Sequence, residues 1–293
     1  MSLHPIDASP VIIIGAGRSG TNMLRDVLTR LDGISTWPCD EINYIWRHGN
    51  KDCETDELTR SHATDDVVDY IRRQFSKFVK NSDLTGLPLN DRVVLEKTCA
   101  NSLRVPFVDT VLPEARYIHI VRDGRDVVAS AQHRWKAPLD IPYLMAKARY
   151  VPKSDLPFYA SRYIGNRISK LSSADSALPV WGPRFQGMQE HENVTDVCAL
   201  QWARCVESAT AAFADMPDSK VINITYEEFV AEPAAQLNSV LNFLSIEKTL
   251  DEITQACSIV KVGSVGKGRQ SRSIDMVNAE TLMKRTLSAY GYK

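Results

Sequence analysis

The chain has 293 residues, 44% hydrophobic and 24% charged, the balance of a soluble globular protein whose core needs no disulfide or metal. Its formal net charge is −1, so no bulk positive field draws it to nucleic acid or a membrane surface. Any anion site must be a local cluster of Arg and Lys.

Val11 to Ile14 form a short, β-branched apolar run, the pattern of a buried parallel strand. A Gly-rich turn follows, Gly15 to Gly20. Met23, Leu24, Val27, Leu28 and Leu31 then recur at helical spacing until Gly33. Thr64 is placed to cap a helix that carries Val67, Val68, Ile71, Phe75 and Phe78 on one face. Arg92 to Glu96 reads as a second strand, and Asn101 or Ser102 caps a helix through Leu112. Arg116 to Val121 is a third strand, with a helix from Asp123 to Trp135. Residues 136–193 break the rhythm with prolines and aromatics and read as an insertion of short helices and loops. A helix then spans Thr195 to Ala214, Lys220 to Thr225 is another strand, and helices carry the chain to Ala256. The tail, Val262 to Ser273, is rich in Gly, Ser and basic residues.

Alternating strands and helices predict an α/β fold: a P-loop-like, doubly wound, mostly parallel sheet flanked by helices, with the helical and loop insertion. One domain over residues 1–293 is expected, with 136–193 on the acceptor side. Ligand sites in such sheets lie at the carboxyl ends of strands. Met1 to Pro10 lacks the basic and apolar regions of a signal peptide. No apolar run approaches the roughly 20 residues of a membrane span. The six cysteines, at positions 39, 53, 99, 198, 205 and 257, have no zinc-ligand spacing, and the six histidines no metal spacing. Free thiols in a reducing cytoplasm, and no metal, are the expectation. His119, inside a strand, reads as a core histidine.

The strongest chemical signal is the strand, turn and helix over Val11 to Leu31. The turn reads Gly15-Ala16-Gly17-Arg18-Ser19-Gly20-Thr21-Asn22. Its glycines let backbone amides converge on a phosphate, and the helix start adds its dipole. A nucleotide-binding P-loop shares this layout, G-x-x-x-x-G-K-[ST], but here Thr21 replaces the Lys and Asn22 the magnesium-binding hydroxyl. The cation comes earlier, at Arg18. The second signal is Arg122 at a strand end, followed by Ser130 and Arg134 one helical turn apart, which can converge on a second phosphate.

With both motifs, the chain resembles the sulfotransferase family. Pro10 to Leu28 is similar to that family's 5′-phosphosulfate loop, and Tyr117 to Arg134 to its 3′-phosphate motif. The likeness is greatest to the tyrosylprotein branch and its bacterial relatives, which carry Arg where Arg18 stands. The resemblance implies 3′-phosphoadenosine 5′-phosphosulfate (PAPS) as co-substrate and 3′-phosphoadenosine 5′-phosphate (PAP) as product. It implies donor contacts from Gly17, Arg18, Ser19, Gly20, Thr21, Asn22, Arg122, Ser130 and Arg134. It also puts Tyr226, in Asn223-Ile224-Thr225-Tyr226, beside the nucleotide. The tail glycines and cations, with Lys267, Gly268 and Arg269, look like the family's loop over the 3′-phosphate.

For the reacting centre the resemblance implies Glu41 as general base, with Asp40 as the alternative, and Lys97 beside the transferring oxygens. Arg18 joins them on the phosphosulfate. The cytosolic branch has its base His shortly after that Lys. Here Cys99 stands instead and reads as a pocket-wall residue rather than a nucleophile. Sulfuryl transfer to an acceptor hydroxyl follows, with a small molecule, glycan or lipid favoured. Three other readings stay open: a P-loop kinase, which Thr21 and Asn22 oppose; sulfation of protein tyrosine; and a non-catalytic nucleotide-binding protein, which Glu41 and Lys97 oppose. Acceptor identity and oligomeric state are not written in the sequence.

Overall fold

The computed structural model describes residues 3–135, 151–159, 161, 184–185, 187–188, 193–261, 263, 265–270 and 273–292, with the backbone alone at 133–135. Strands β1 (Ser9–Ile14), β2 (Ile34–Thr36), β3 (Val93–Lys97), β4 (Arg116–Val121) and β5 (Val221–Thr225) form one sheet in the order β2-β3-β1-β4-β5. Every pairing is parallel, and β1 lies between β3 and β4, with Ile13 opposite Lys97 and Ile14 opposite His119.

The near-continuous apolar strands are explained by helices on both faces. Ile12, Ile14, Val94 and Tyr117 face α3 (Asp65–Lys80) and α4 (Val105–Val111). Val11, Ile13, Leu95, Ile118 and Ile224 pack with residues of α1 (Thr21–Leu28), α7 (Tyr226–Ala231), α8 (Pro233–Phe243) and α9 (Leu250–Cys257). A third cluster joins α5 (Gly124–Trp135), α6 (Val194–Phe213) and α10 (Ile274–Ala289) around Trp202 and Met283. The short α2 (Asn43–Trp46) completes the helices used below. Among the described residues, no helix is long and apolar enough to cross a membrane.

Three expectations change. The three-residue β2 is too short for periodicity to reveal, and only its ladder to Val93, Val94 and Leu95 defines it. The helix expected from Asn101 or Ser102 through Leu112 divides into a 3₁₀ turn, Cys99–Leu103, and α4, whose N-cap is Arg104. Pro106 explains the division, because it has no N–H to continue a helix from Ser102 but is tolerated in a first turn. Thr64 does occupy the N-cap of α3, yet its side chain makes no capping bond, and Asp65 and Asp66 supply the favourable first-turn charge. Most of 136–193 lies outside the described residues.

His119 lies in β4 with 1% exposure. Its Nδ1 is 2.9 Å from Asn223 Oδ1, while its Nε2 is buried without a hydrogen-bond partner. Burial outweighs the Asn223 contact and lowers its pKa from 6.5 to about 4. The neutral ring is favoured in the fold, so its contribution to stability is intact above pH 6.5. It is lost as pH falls from there toward the folded value of about 4. His119→Gln should therefore remove an acid-sensitive component on the order of 2 kcal/mol at pH 5. Urea unfolding of both proteins at pH 7 and pH 5 measures it, and parallel loss of stability in both would contradict it.

Candidate active site

The carboxyl ends of β1, β3, β4 and β5 deliver Gly15, Lys97, Arg122 and Tyr226 to one edge of the sheet. At the β1 exit, an added Cβ on Gly15 would lie 2.6 Å from the Ile120 carbonyl oxygen, so only glycine lets the loop pass β4. Arg18 and Gly20 take positive φ, 70° and 91°, and the Ser19 N–H closes the turn on Ala16 O at 3.1 Å. No side chain caps α1, and its first turn carries no acidic residue. Its amides are thus presented to the loop, the arrangement that receives an anion. Ser19 Oγ is buried beside them without a hydrogen-bond partner. Gly17 borders open space, Thr21 is buried, and Asn22 is exposed.

The second motif meets the first. Arg18 Nε donates to Ser130 Oγ at 3.0 Å, and Arg122 donates to the Arg18 carbonyl at 3.1 Å. The Arg122 guanidinium lies 4.2 Å from the centroid of the Tyr226 ring, and the same ring backs onto Gly20. Arg18, Ser130, Arg122 and Tyr226, chosen from separate stretches of sequence, therefore share one site. Arg134 lies on α5, and its side chain is outside the described residues.

The tail loop docks at the start of α5. The N–H groups of Gly266 and Gly268 donate to the Asp126 carboxylate at 2.7 and 2.6 Å, and Arg269 Nε donates to Asp123 at 2.9 Å. Arg122 also approaches Asp126, at 3.6 Å. Gly268 sits against the Arg125 backbone where a Cβ would come within 2.2 Å, while Lys267 is exposed. Burial pushes the Asp123 carboxyl up, but bonds from Arg125 and Arg269 outweigh it and hold the group below its usual range.

Sequence reasoning missed the supports behind Arg122. Trp202 Nε1 donates to the Arg122 carbonyl at 3.1 Å. Glu227 accepts from the Asp123 N–H at 3.0 Å and from the Tyr292 hydroxyl at 2.9 Å. The only sequence signal was the adjacency of Glu227 to Tyr226.

The reacting-centre candidates also meet. Lys97 Nζ donates to Glu41 Oε1 at 3.1 Å, and the Cys99 N–H reaches the same oxygen at 3.3 Å. The Lys97 side chain is 2% exposed, against 17% for Glu41. Burial would lower the Lys97 pKa, but Glu41, with Cys99 and Asp40 adding to it, outweighs burial and holds the ammonium above its usual value. Asp40 itself pairs with Arg25 at 3.1 Å. Cys99 Sγ is 3.8 Å from Thr21 Oγ1, which ties this group to the loop. Burial, reinforced by Glu41, pushes the Cys99 thiol up to about 12, so it is no thiolate nucleophile at neutral pH.

Part of the insertion covers the neighbouring segment. Tyr159 packs edge-on against Tyr44 with centroids 4.7 Å apart, and Asp155 lies 2.9 Å from His48 Nδ1.

A glycine loop, an uncapped helix start and converging cations at the carboxyl edge of a parallel sheet define a P-loop-like nucleotide-binding enzyme. The model of the Sulfotransferase family matches residues 10–143 and 171–251, and the chain belongs to that family. It is a PAPS-dependent sulfotransferase. Similar solved structures include sulfotransferase STF9 from Mycobacterium avium, 11% identical, covering 99% of this chain and 78% of that one, with a TM-score of 0.53. Mouse sulfotransferase SULT7A1 complexed with PAP is 14% identical, with 98% and 86% covered and a TM-score of 0.51. At these identities the likeness is one of fold. No curated protein matches the sequence.

Gly20 and Gly17 of the loop should respond differently to a methyl group. Gly20→Ala forces a positive φ on a residue whose Cβ would lie 2.4 Å from the Tyr226 ring, and should cost more than about 1 kcal/mol. Gly17→Ala, with nothing within 4 Å, should leave the melting temperature nearly unchanged. Thermal denaturation of the unliganded variants checks this, and equal losses would refute the assigned loop geometry.

Proposed function

We propose that this enzyme moves the sulfuryl group of PAPS in line to the hydroxyl of a small molecule, glycan or lipid. The reading is carried by one observation: two cationic grips, at Arg18 and Arg122, meet on one sheet edge beside the Lys97–Glu41 pair. PAPS has the matching layout, with an anionic group at each end of the nucleotide and the reacting sulfur next to one of them.

On this reading Gly17, Arg18, Ser19, Gly20, Thr21 and Asn22 receive the phosphosulfate through loop amides, hydroxyls and the Arg18 cation. Arg122, Ser130 and Arg134 receive the 3′-phosphate, Tyr226 backs Arg122, and the Lys267–Arg269 stretch covers the nucleotide. The acceptor oxygen forms its bond to sulfur as the bond from sulfur to the phosphate oxygen breaks. Lys97 steadies charge on that oxygen, and Glu41 takes the acceptor proton. Transferring oxygens carry less charge in a sulfuryl than in a phosphoryl group, so positioning and local cations suffice without a metal. The pairing of Asp40 with Arg25, where Glu41 pairs with Lys97, supports Glu41 as the base. We place 136–193 on the acceptor side of one domain, because Tyr159 and Asp155 pack on the segment after Glu41. Six free cysteines support a reducing compartment such as the cytoplasm.

Two experiments test the assignment. PAP at ~100 times its Kd should stabilise the protein by about 2.7 kcal/mol, and ATP with magnesium much less. Arg122→Ala should weaken PAPS sharply but leave adenosine 5′-phosphosulfate, which lacks the 3′-phosphate, little changed. Equal weakening of both donors would make Arg122 structural, and equal stabilisation by ATP would favour a kinase. Separately, Glu41→Gln should lower kcat by about 10²–10⁴-fold with PAP binding retained, while Asp40→Asn does far less. The reverse ranking would move the base to Asp40.

A further inference from the structure

Glu41 lies outside any strand or helix, so something else must fix where its carboxylate points. The residues just after it are held at both ends of one hydrogen-bond circuit. The Ile42 N–H donates to Thr98 Oγ1 at 3.2 Å, and the Thr98 hydroxyl donates to Glu96 Oε1 at 2.5 Å. Asn101 Nδ2 donates to Glu96 Oε2 at 2.9 Å, and Asn101 Oδ1 accepts from Arg104 Nε at 2.9 Å. Arg104 then returns to the starting segment through a bond to Asn43 Oδ1. Glu96 is 1% exposed, and Thr98, Asn101 and Arg104 are fully buried.

We propose that Thr98, anchored through Glu96, Asn101 and Arg104, is the positioning residue that holds Glu41 against Lys97 for proton removal. This rests on Glu41 being the base. The physical ground is directional. A hydroxyl has one hydrogen, and here Glu96 takes it, so a Thr98 lone pair is left aimed at the Ile42 amide. From Thr98 to Arg104 the circuit is buried, which strengthens each bond and raises the cost of leaving one unmade. Its members start from the same β3 exit that supplies Lys97 and the Cys99 N–H, the two groups bonded to Glu41 Oε1. One short stretch of chain thus presents the ammonium and, through Thr98, sets the segment that carries its carboxylate partner. The preceding residue, Asp40, is bonded to a different partner, Arg25, so small slippage at Ile42 would redirect Glu41.

Burial raises the Glu96 carboxyl from 4.5 to about 7, partly offset by the Thr98 bond, and lowers Arg104 from the ordinary arginine value to about 10. Two groups held this far from their ordinary ionisation are compatible with a built scaffold beside the site.

The test is a double-mutant cycle. Thr98→Val keeps the shape of the side chain and removes the hydroxyl. At saturating donor it should lower kcat about 10–100-fold, the usual effect of misplacing a reacting group by an ångström. The melting shift induced by PAP should be preserved, and Thr98→Ser should restore most of kcat. In a Glu41→Gln background Thr98→Val should have little further effect, because the group it positions is gone. Wild-type kcat in Thr98→Val, or the same loss in both backgrounds, overturns the proposal. Wild-type kcat in Glu41→Gln alone removes the base assignment and the proposal with it, which separates the two failures. If Thr98→Val does not fold, Asn43→Ala, at the partly exposed end of the circuit, enters the same cycle with the same expected outcomes.

Discussion

Arg122 is 7% exposed at the end of β4, and a buried guanidinium needs acceptors or other favourable partners close by. The Arg18 carbonyl, Asp126 and the Tyr226 ring approach it from three different elements. Much of the site is arranged around this one cation. The loop after β1 must turn its Arg18 carbonyl inward, which the positive φ there allows. Gly20 must lack a side chain because Tyr226 lies against it. Asp126, drawn beside Arg122, is then available to accept the tail amides of Gly266 and Gly268. The grip on Arg122 therefore registers the loop, β4, α7 and the tail against one another.

The same constraint accounts for what was legible in the sequence. Arg18, Ser130, Arg122 and Tyr226 lie in runs where a strand end, a glycine turn and a helix start are local patterns, and the parallel fold brings strand ends to one edge. Trp202, Glu227 and Tyr292 support that edge through bonds that span 80, 104 and 65 residues, and no local pattern announces such a bond. β2 was invisible because three residues cannot show a period. The run to Leu112 looks like one helix because apolar spacing does not show the break that Pro106 imposes between the 3₁₀ turn and α4. Asp40 and Glu41 could not be separated, since adjacent residues in an irregular segment point apart according to their partners. Arg25 and Lys97, distant in sequence, decide their directions.

The charge inventory shows how a nearly neutral chain can host an anion site. Arg25, Arg47, Arg104, Arg125 and Arg269 each pair with carboxylates. These pairs do structural work and cancel in the long-range field. Arg18 contacts the Ser130 hydroxyl, and Arg122 sits over the Tyr226 ring with Asp126 at 3.6 Å. On the proposed reading a bound phosphate adds charge-assisted bonds to both cations, a local attraction that does not depend on net charge.

The two halves of the proposed site are consequently built from different materials. The donor half relies on backbone amides, glycines and strand-end cations, whose positions the sheet register fixes. The reacting half relies on a carboxylate in an irregular segment, placed by side-chain hydrogen bonds through Thr98, Glu96, Asn101, Arg104 and Asn43. Register tolerates most side-chain changes, whereas a buried polar circuit tolerates few, because one missing atom leaves its partner unsatisfied. Substitutions around Ile42 and Asn43 would then alter turnover before they alter donor affinity. Tyr44 belongs to the same segment and packs against Tyr159, so a change in that packing can reach Glu41 without touching the proposed nucleotide grip.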